Sequence, residues 1–215
     1  MRSWPLYDLR LRSPRLELRL PDLDLLDELI ALARRGVHAP DTMPFGVPWT
    51  DLPSPQLERE SLQHHLLQIA QWRPDKWTYN PVALYRGRVV GTQDMRAENF
   101  AAARMFSTGS WLGMEFQGMG LGKEMRAAIL HLGFAGLGAQ EAQSSAFSDN
   151  LASLGVSRSL GYQDNGSWRA ARRGQSGTMI GLRLTRADWE RHQYCEISVE
   201  ALEPCLDLFG GTGSK

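Results

Sequence analysis

Gln117, Gly118, Met119, Gly120, Leu121, Gly122 and Lys123 form the run of this chain best suited to chemistry, because it joins an alternating apolar segment to one with helical spacing. Glycines at such a junction let the backbone bend tightly, and N–H groups at a helix start attract phosphate. Two well-known phosphate loops fit badly. The glycines follow GxGxG and not the GxGxxG of dinucleotide folds, and Lys123 precedes Glu124 where a P-loop needs Ser or Thr for magnesium. Alone, the run also reads as a turn that lets strand and helix pack closely.

The elements around the run follow from periodicity. Leu16, Leu18 and Leu20 alternate with Glu17 and Arg19 as in a half-buried strand. Asp22 can cap a helix whose apolar face is Leu25, Leu26, Leu29, Ile30 and Ala33, ended by Gly36. Residues 37–53 hold four prolines among Met43, Phe45, Val47 and Trp49, an apolar loop. A second helix is predicted from Ser54 and Pro55 to about Trp72, with Leu62, Leu66, Ile69 and Ala70 buried. Residues 81–85 and 89–95 read as a hairpin, 107–116 as a strand, and Met125, Ala128, Ile129 and Leu132 as the helix opened by the glycine loop. A strand over 143–147, a helix over 150–160, a strand pair near Arg169 and over 179–184, and a short helix capped by Thr185 complete an α+β sheet covered by helices.

Gln117-x-x-Gly120-x-Gly122 matches the Q/R-x-x-G-x-G/A pyrophosphate motif of the GCN5-related N-acetyltransferase (GNAT) family, which the chain resembles. Asn150-x-x-Ser153-x-x-Val156 followed by Gly161 and Tyr162 has the spacing of that family's next motif in its RimJ/RimL-like branch. Trp111, Leu112 and Gly113 before the loop are similar to that branch too, and Met43, Pro44, Phe45, Pro48 and Trp49 resemble a substrate loop of actinobacterial acetyl- and succinyltransferases. The resemblance implies a GNAT fold, a mixed central sheet splayed at the acyl-CoA site with helices on both faces. It implies pyrophosphate on residues 117–123, pantetheine paired with the main chain of Leu112, Gly113 and Met114, and a further bond from Asn150.

Acyl transfer from a thioester to an amine needs a neutral amine, a stabilised oxyanion and relief of charge on the leaving thiolate. Glu115, expected at the end of the cleft strand on the side of Trp111 and Gly113, is the base candidate, against a reading as a solvated carboxylate. Ser153, by the resemblance, and Tyr162, by its weakly acidic phenol, are candidates to protonate the thiolate, although Tyr162 also suits core packing and Asn150 a helix cap. A backbone N–H near Met114 is expected to hold the oxyanion. Phe45 and Trp49 are expected to wall the acceptor pocket, or else to pack the first helices together. His64, His65 and His131 have no partner pattern, and Arg169, Arg172 and Arg173 read as a solvated face.

The 24 Lys+Arg balance the 24 Asp+Glu, which removes the cationic field that nucleic acids or anionic membranes would select. No run approaches the ~20 apolar residues of a membrane span. Cys195 and Cys205 read as unpaired thiols without zinc spacing, and no metal is implied. The expectation is one cytoplasmic domain over residues 1–209 with a disordered tail over 210–215, using acetyl-CoA, or succinyl-CoA as a close second, on a primary amine of a small molecule or protein. A homo-oligomer stays open. A silent acyl-CoA sensor of the same fold and a nucleotide-binding α/β domain are the rival readings; the GxGxG spacing and the preceding hairpin speak against the second.

Overall fold

In the computed structural model, which describes residues 3–210, the alternating leucines form a strand as expected, with Leu16 and Leu18 buried. The strands are β1 (Arg10–Arg12), β2 (Leu16–Arg19), β3 (Lys76–Tyr79), β4 (Val82–Tyr85), β5 (Arg88–Glu98), β6 (Met105–Leu112), β7 (Glu141–Phe147), β8 (Gln163–Arg172), β9 (Gln175–Thr185) and β10 (Ser198–Glu200). The helices are α1 (Leu23–Arg35), α2 (Gln56–Ala70), α3 (Phe100–Ala103), α4 (Leu121–His131), α5 (Leu151–Ser159) and α6 (Arg186–Arg191). Asp22 caps α1 by accepting from the Leu25 N–H, and Thr185 caps α6 by accepting from that of Asp188. Of the tail expected to be disordered, only Gly210 is described, and it closes the last turn; residues 211–215 lie outside the described residues.

The strands make one mixed sheet in the order β10-β1-β2-β4-β5-β6-β7-β9-β8, with β3 also on β5. All described pairings are antiparallel except β6 with β7. That parallel pair lasts only from Met105↔Glu141 to Ser107↔Gln143, after which β6 runs on to Leu112 and β7 to Phe147 unpaired with each other. The middle of the sheet is therefore splayed. Leu112 lies against Gly122 of α4, which also meets Val156 of α5, whereas a Cβ at Gly113 would stand 2.4 Å from Leu32 of α1. Neighbouring residues of an extended chain face opposite ways, so α1 covers one face and α4 with α5 the other. Leu18, Val90, Phe106, Ile129, Leu132 and Leu184 fill the core between.

Three expectations need correction. The strand expected over 107–116 stops at Leu112, because Gly113 packs against Leu32 and the Met114 N–H donates to Gly36 C=O at 3.0 Å; residues Met114–Phe116 form a tight turn. Helix α2 begins at Gln56, ends at Ala70 and turns a different side inward: Leu57 and His65 are buried, while Leu66 and Ala70 face solvent. Apolar residues sit all round this helix, so spacing alone misses its buried side. Strands β1, β3 and β10 and helix α3 were not anticipated, being three or four residues long. No helix among the described residues is long and apolar enough to cross a membrane.

His65 meets the Nδ2 of Asn80 at 3.3 Å, and burial, helped by His64, pushes its imidazole down to about 4. The unfolded chain takes up that proton below its ordinary value near 6.5, the folded one only near pH 4. Stability is therefore full above about pH 6.5 and lost as pH falls toward 4, by on the order of 3 kcal/mol. Urea unfolding between pH 7 and 4 should show this loss in the wild type and a flatter curve in His65→Gln; equal slopes would remove His65 as the cause.

Candidate active site

The loop sits at the mouth of the splay. Gly118 and Gly120 have φ of +74° and +78°, a region costly for other residues, and Gly120 is the N-cap of α4. The N–H groups of Gly118, Met119, Gly120, Leu121 and Gly122 donate to no protein acceptor among the described residues, which makes them a nest for an anion. Arg15, from the β1–β2 turn, ties the loop down through Glu124 and through Met119 C=O at 3.0 Å. Its guanidinium adds positive charge beside Gly120. Gln117 faces back into the protein and donates to the carbonyls of Val37 and Leu112, so it holds the loop's shape. Lys123 follows in the first turn of α4, its side chain half-buried.

The main chain offered to a ligand differs from the expected trio. Gly113 N–H bonds Val90 C=O and Met114 N–H bonds Gly36 C=O, so neither is free for pantetheine or an oxyanion. In an antiparallel ladder backbone groups alternate sides; since Gly113 turns to β5, so do Trp111 and Gly109, while Leu112 and Ser110 turn to the splay. Leu112 is thus retained and Ser110 added.

Inside the splay lies Arg126 of α4, 2% exposed. It donates to Gln93 Oε1 at 3.2 Å and to the hydroxyls of Ser110, Ser144 and Ser157 at 3.2, 3.3 and 3.5 Å, spanning β5, β6, β7 and α5. None of these is a carboxylate. Tyr162 is buried on the same side, 3.5 Å from the Thr108 hydroxyl, and burial raises its phenol against the lowering effect of Arg126. Asn150 caps α5, its Oδ1 accepting from the Ser153 N–H at 3.1 Å, which leaves its Nδ2 for a ligand. Ser153 stands in that first turn, partly exposed.

The opposite face carries an aromatic row: Trp111 stands 5.7 Å from Trp49, which stands 5.3 Å from Phe45. Val47, on the same loop, is 72% exposed and turned to solvent. The β8–β9 hairpin clasps the loop that bears the row. Arg172 bonds Asp149 and Met43 C=O and lies 4.3 Å over the Phe147 ring, and Arg173 bonds Asp51 and the carbonyls of Pro40 and Thr42. These arginines are a clasp and not the solvated face expected from sequence; each holds its partner carboxylate below its ordinary range. Glu115 lies on the turn after β6, 44% exposed, and binds Arg35 and Arg88, so the strand alternation that placed it in the cleft does not apply.

Sequence reasoning missed Arg15, Ser110 and Arg126. For Arg126 a signal existed, a cation flanked by Met125, Ala127 and Ala128 on a helix otherwise apolar at that level. For the others none did, because register and turn geometry alone bring them in.

Residues 15–163 match the family model described as the acetyltransferase (GNAT) domain. Solved structures share the fold. RimL, the ribosomal L7/L12 alpha-N-protein acetyltransferase, in complex with coenzyme A, is 19% identical with a TM-score of 0.68, over 80% of this chain and 95% of that one. A GCN5-related N-acetyltransferase from Brucella melitensis is 16% identical with a TM-score of 0.66, over 86% and 81%. The microcin C7 self-immunity acetyltransferase MccE, with acetyl-CoA and AMP, is 16% identical with a TM-score of 0.63, over 80% and 93%.

Gly120→Val places a side chain against Arg15 at a positive φ, at a cost of about 1–2 kcal/mol that a domain of this size can absorb. Calorimetry should find acetyl-CoA binding weakened at least tenfold while circular dichroism stays native. Unchanged affinity in the folded variant would remove the nest from the site.

Proposed function

Since the chain belongs to the GNAT acetyltransferase family, we propose that it is an N-acyltransferase that moves an acyl group from acyl-CoA to a primary amine of a small molecule or of a protein, at its N-terminus or a lysine. One observation carries the reading. The unpaired N–H groups of residues 118–122 continue into the N–H groups of Leu112 and Ser110, which face the gap, a path suited to a pyrophosphate followed by a chain of amides. RimL acts, by its name, on a protein α-amine, which supports keeping that acceptor class in the proposal. A cytoplasmic place of action accords with Cys195 and Cys205 both being free.

In this reading the nest and Arg15 take the pyrophosphate, Leu112, Ser110 and the Asn150 amide hold the pantetheine, and an N–H of Ser110 or Leu112 receives the oxyanion. Tyr162, kept protonated by burial, or Ser153 returns a proton to the leaving sulfur. Phe45 and Trp49 line the acceptor side. Glu115, already bound by two arginines, serves the turn and not the amine proton; Glu115→Gln should lower turnover less than tenfold, short of the ~10²-fold loss a general base shows.

Acetyl is the first reading for the acyl group, and Arg126 favours a second, an acyl chain ending in a carboxylate such as succinyl. A buried cation held by neutral groups alone is costly, and a carboxylate reaching it would offset that cost. Equimolar acetyl-CoA and succinyl-CoA, offered with a panel of primary amines, test both readings by the amide formed. Tenfold preference for succinyl, about 1.4 kcal/mol, would establish the second reading. Tyr162→Phe should lower turnover by at least tenfold with acyl-CoA affinity kept. Binding of acyl-CoA without acylation of any amine would contradict the proposal and leave a binding protein.

A further inference from the structure

Asp94 lies on β5 directly across from Gly109 of β6, two residues beyond the last β6–β7 pair, where the splay begins to open. Its carboxylate rests flat on that glycine: a Cβ at position 109 would stand 2.7 Å from Oδ2 and 3.2 Å from Oδ1. Glycine is thus what lets the carboxylate lie over β6 toward the gap. Among the described residues Oδ1 is buried without a hydrogen-bond partner, and Oδ2 has only Arg96, at 3.7 Å, whose own side chain is largely exposed. A carboxylate left half unsatisfied at an open cleft lacks the donors that such a group ordinarily recruits.

Asp94 faces the side away from Arg126. Gln93, its neighbour, binds Arg126, and successive residues of a strand alternate. On that other face the next residue pair along is Thr92↔Trp111, so Trp111 stands about 7 Å from the carboxylate, two strand residues away. With Trp49 beside it, Trp111 gives an aromatic surface for an alkyl stem, and Asp94 supplies an anion at its end.

Resting on the acyltransfer reading above, we propose that Asp94 is the residue that binds the acceptor as a primary alkylammonium and takes its proton. The proton passes from the ammonium to the Asp94 carboxylate and on to water. The freed nitrogen pair forms the C–N bond at the thioester carbonyl carbon, the C–S bond breaks with its pair on sulfur, and the second nitrogen proton is matched by the one the sulfur receives. The acceptor approaches from the aromatic face while the thioester lies in the gap, so the two substrates meet across the sheet.

Asp94→Asn keeps the shape and removes the base. With a tetrapeptide bearing a free α-amine and with N-acetyl-lysine methylamide, kcat/KM should fall at least about 10²-fold at pH 7. Hydroxylamine, neutral at that pH, should lose far less, and acetyl-CoA affinity should not change. Asp94→Glu should recover part of the loss with the amines. A structural role for Asp94 would lower all nucleophiles alike, and that result, or wild-type rates in Asp94→Asn, would overturn the proposal while leaving acyltransfer intact. Failure of the wild type to acylate any amine would strike the activity instead. In that event ¹³C-aspartate NMR of the CoA-bound protein decides: ethylammonium should move the Asp94 side-chain resonance, and an unmoved resonance would overturn the proposal.

Discussion

Two neighbouring strands that pair over three residues and then part leave backbone donors and acceptors facing each other across a gap in the middle of a sheet. Buried peptide groups without partners are rarely tolerated, so something must hold the gap open and something must fill it. Arg126 does the first. Its guanidinium reaches β5, β6, β7 and α5 at once, bonding to one amide and three hydroxyls. A cation in that position costs several kcal/mol without a counter-charge. Four neutral oxygens share the burden and tie the one guanidinium to all four elements.

The cleft's two ends depend on the same opening. At one end α4 must start where β6 leaves off, so the chain turns through Gly118 and Gly120 with its N–H groups directed outward, and Arg15 with Glu124 locks that turn to the β1–β2 corner. At the other end the strands begin to part beside Gly109, where Asp94 lies. The aromatic loop has no regular structure of its own apart from a single tight turn at Trp49–Asp51, and it is positioned by Arg172 and Arg173 from the far hairpin. Charge pairs of this exposed kind contribute little to stability each, but together they place Trp49 against Trp111.

Much of this was legible in the residues. Alternation marked β2, and capping residues marked α1 and α6. What failed did so for identifiable reasons. The strand through Glu115 ended early because two non-local contacts, Gly113 on Leu32 and Met114 on Gly36, outweighed local alternation. Met114 lost its expected role because its N–H was already taken. Helix α2 was read with the wrong buried side because its leucines do not form a stripe. Asp94 and Ser110 carry no local signature; only the β5–β6 register puts them on opposite faces of the same opening.

Backbone amide hydrogen exchange with and without acetyl-CoA tests the account most directly, since it reads the N–H groups themselves. Binding should slow exchange at Ser110, Leu112 and residues 118–122, which lack protein partners, and leave Gly113 and Met114 unchanged, their N–H groups being bonded to Val90 and Gly36. Protection confined to other segments, or arising at Gly113 and Met114 instead, would contradict a cofactor lying along this edge of the splay.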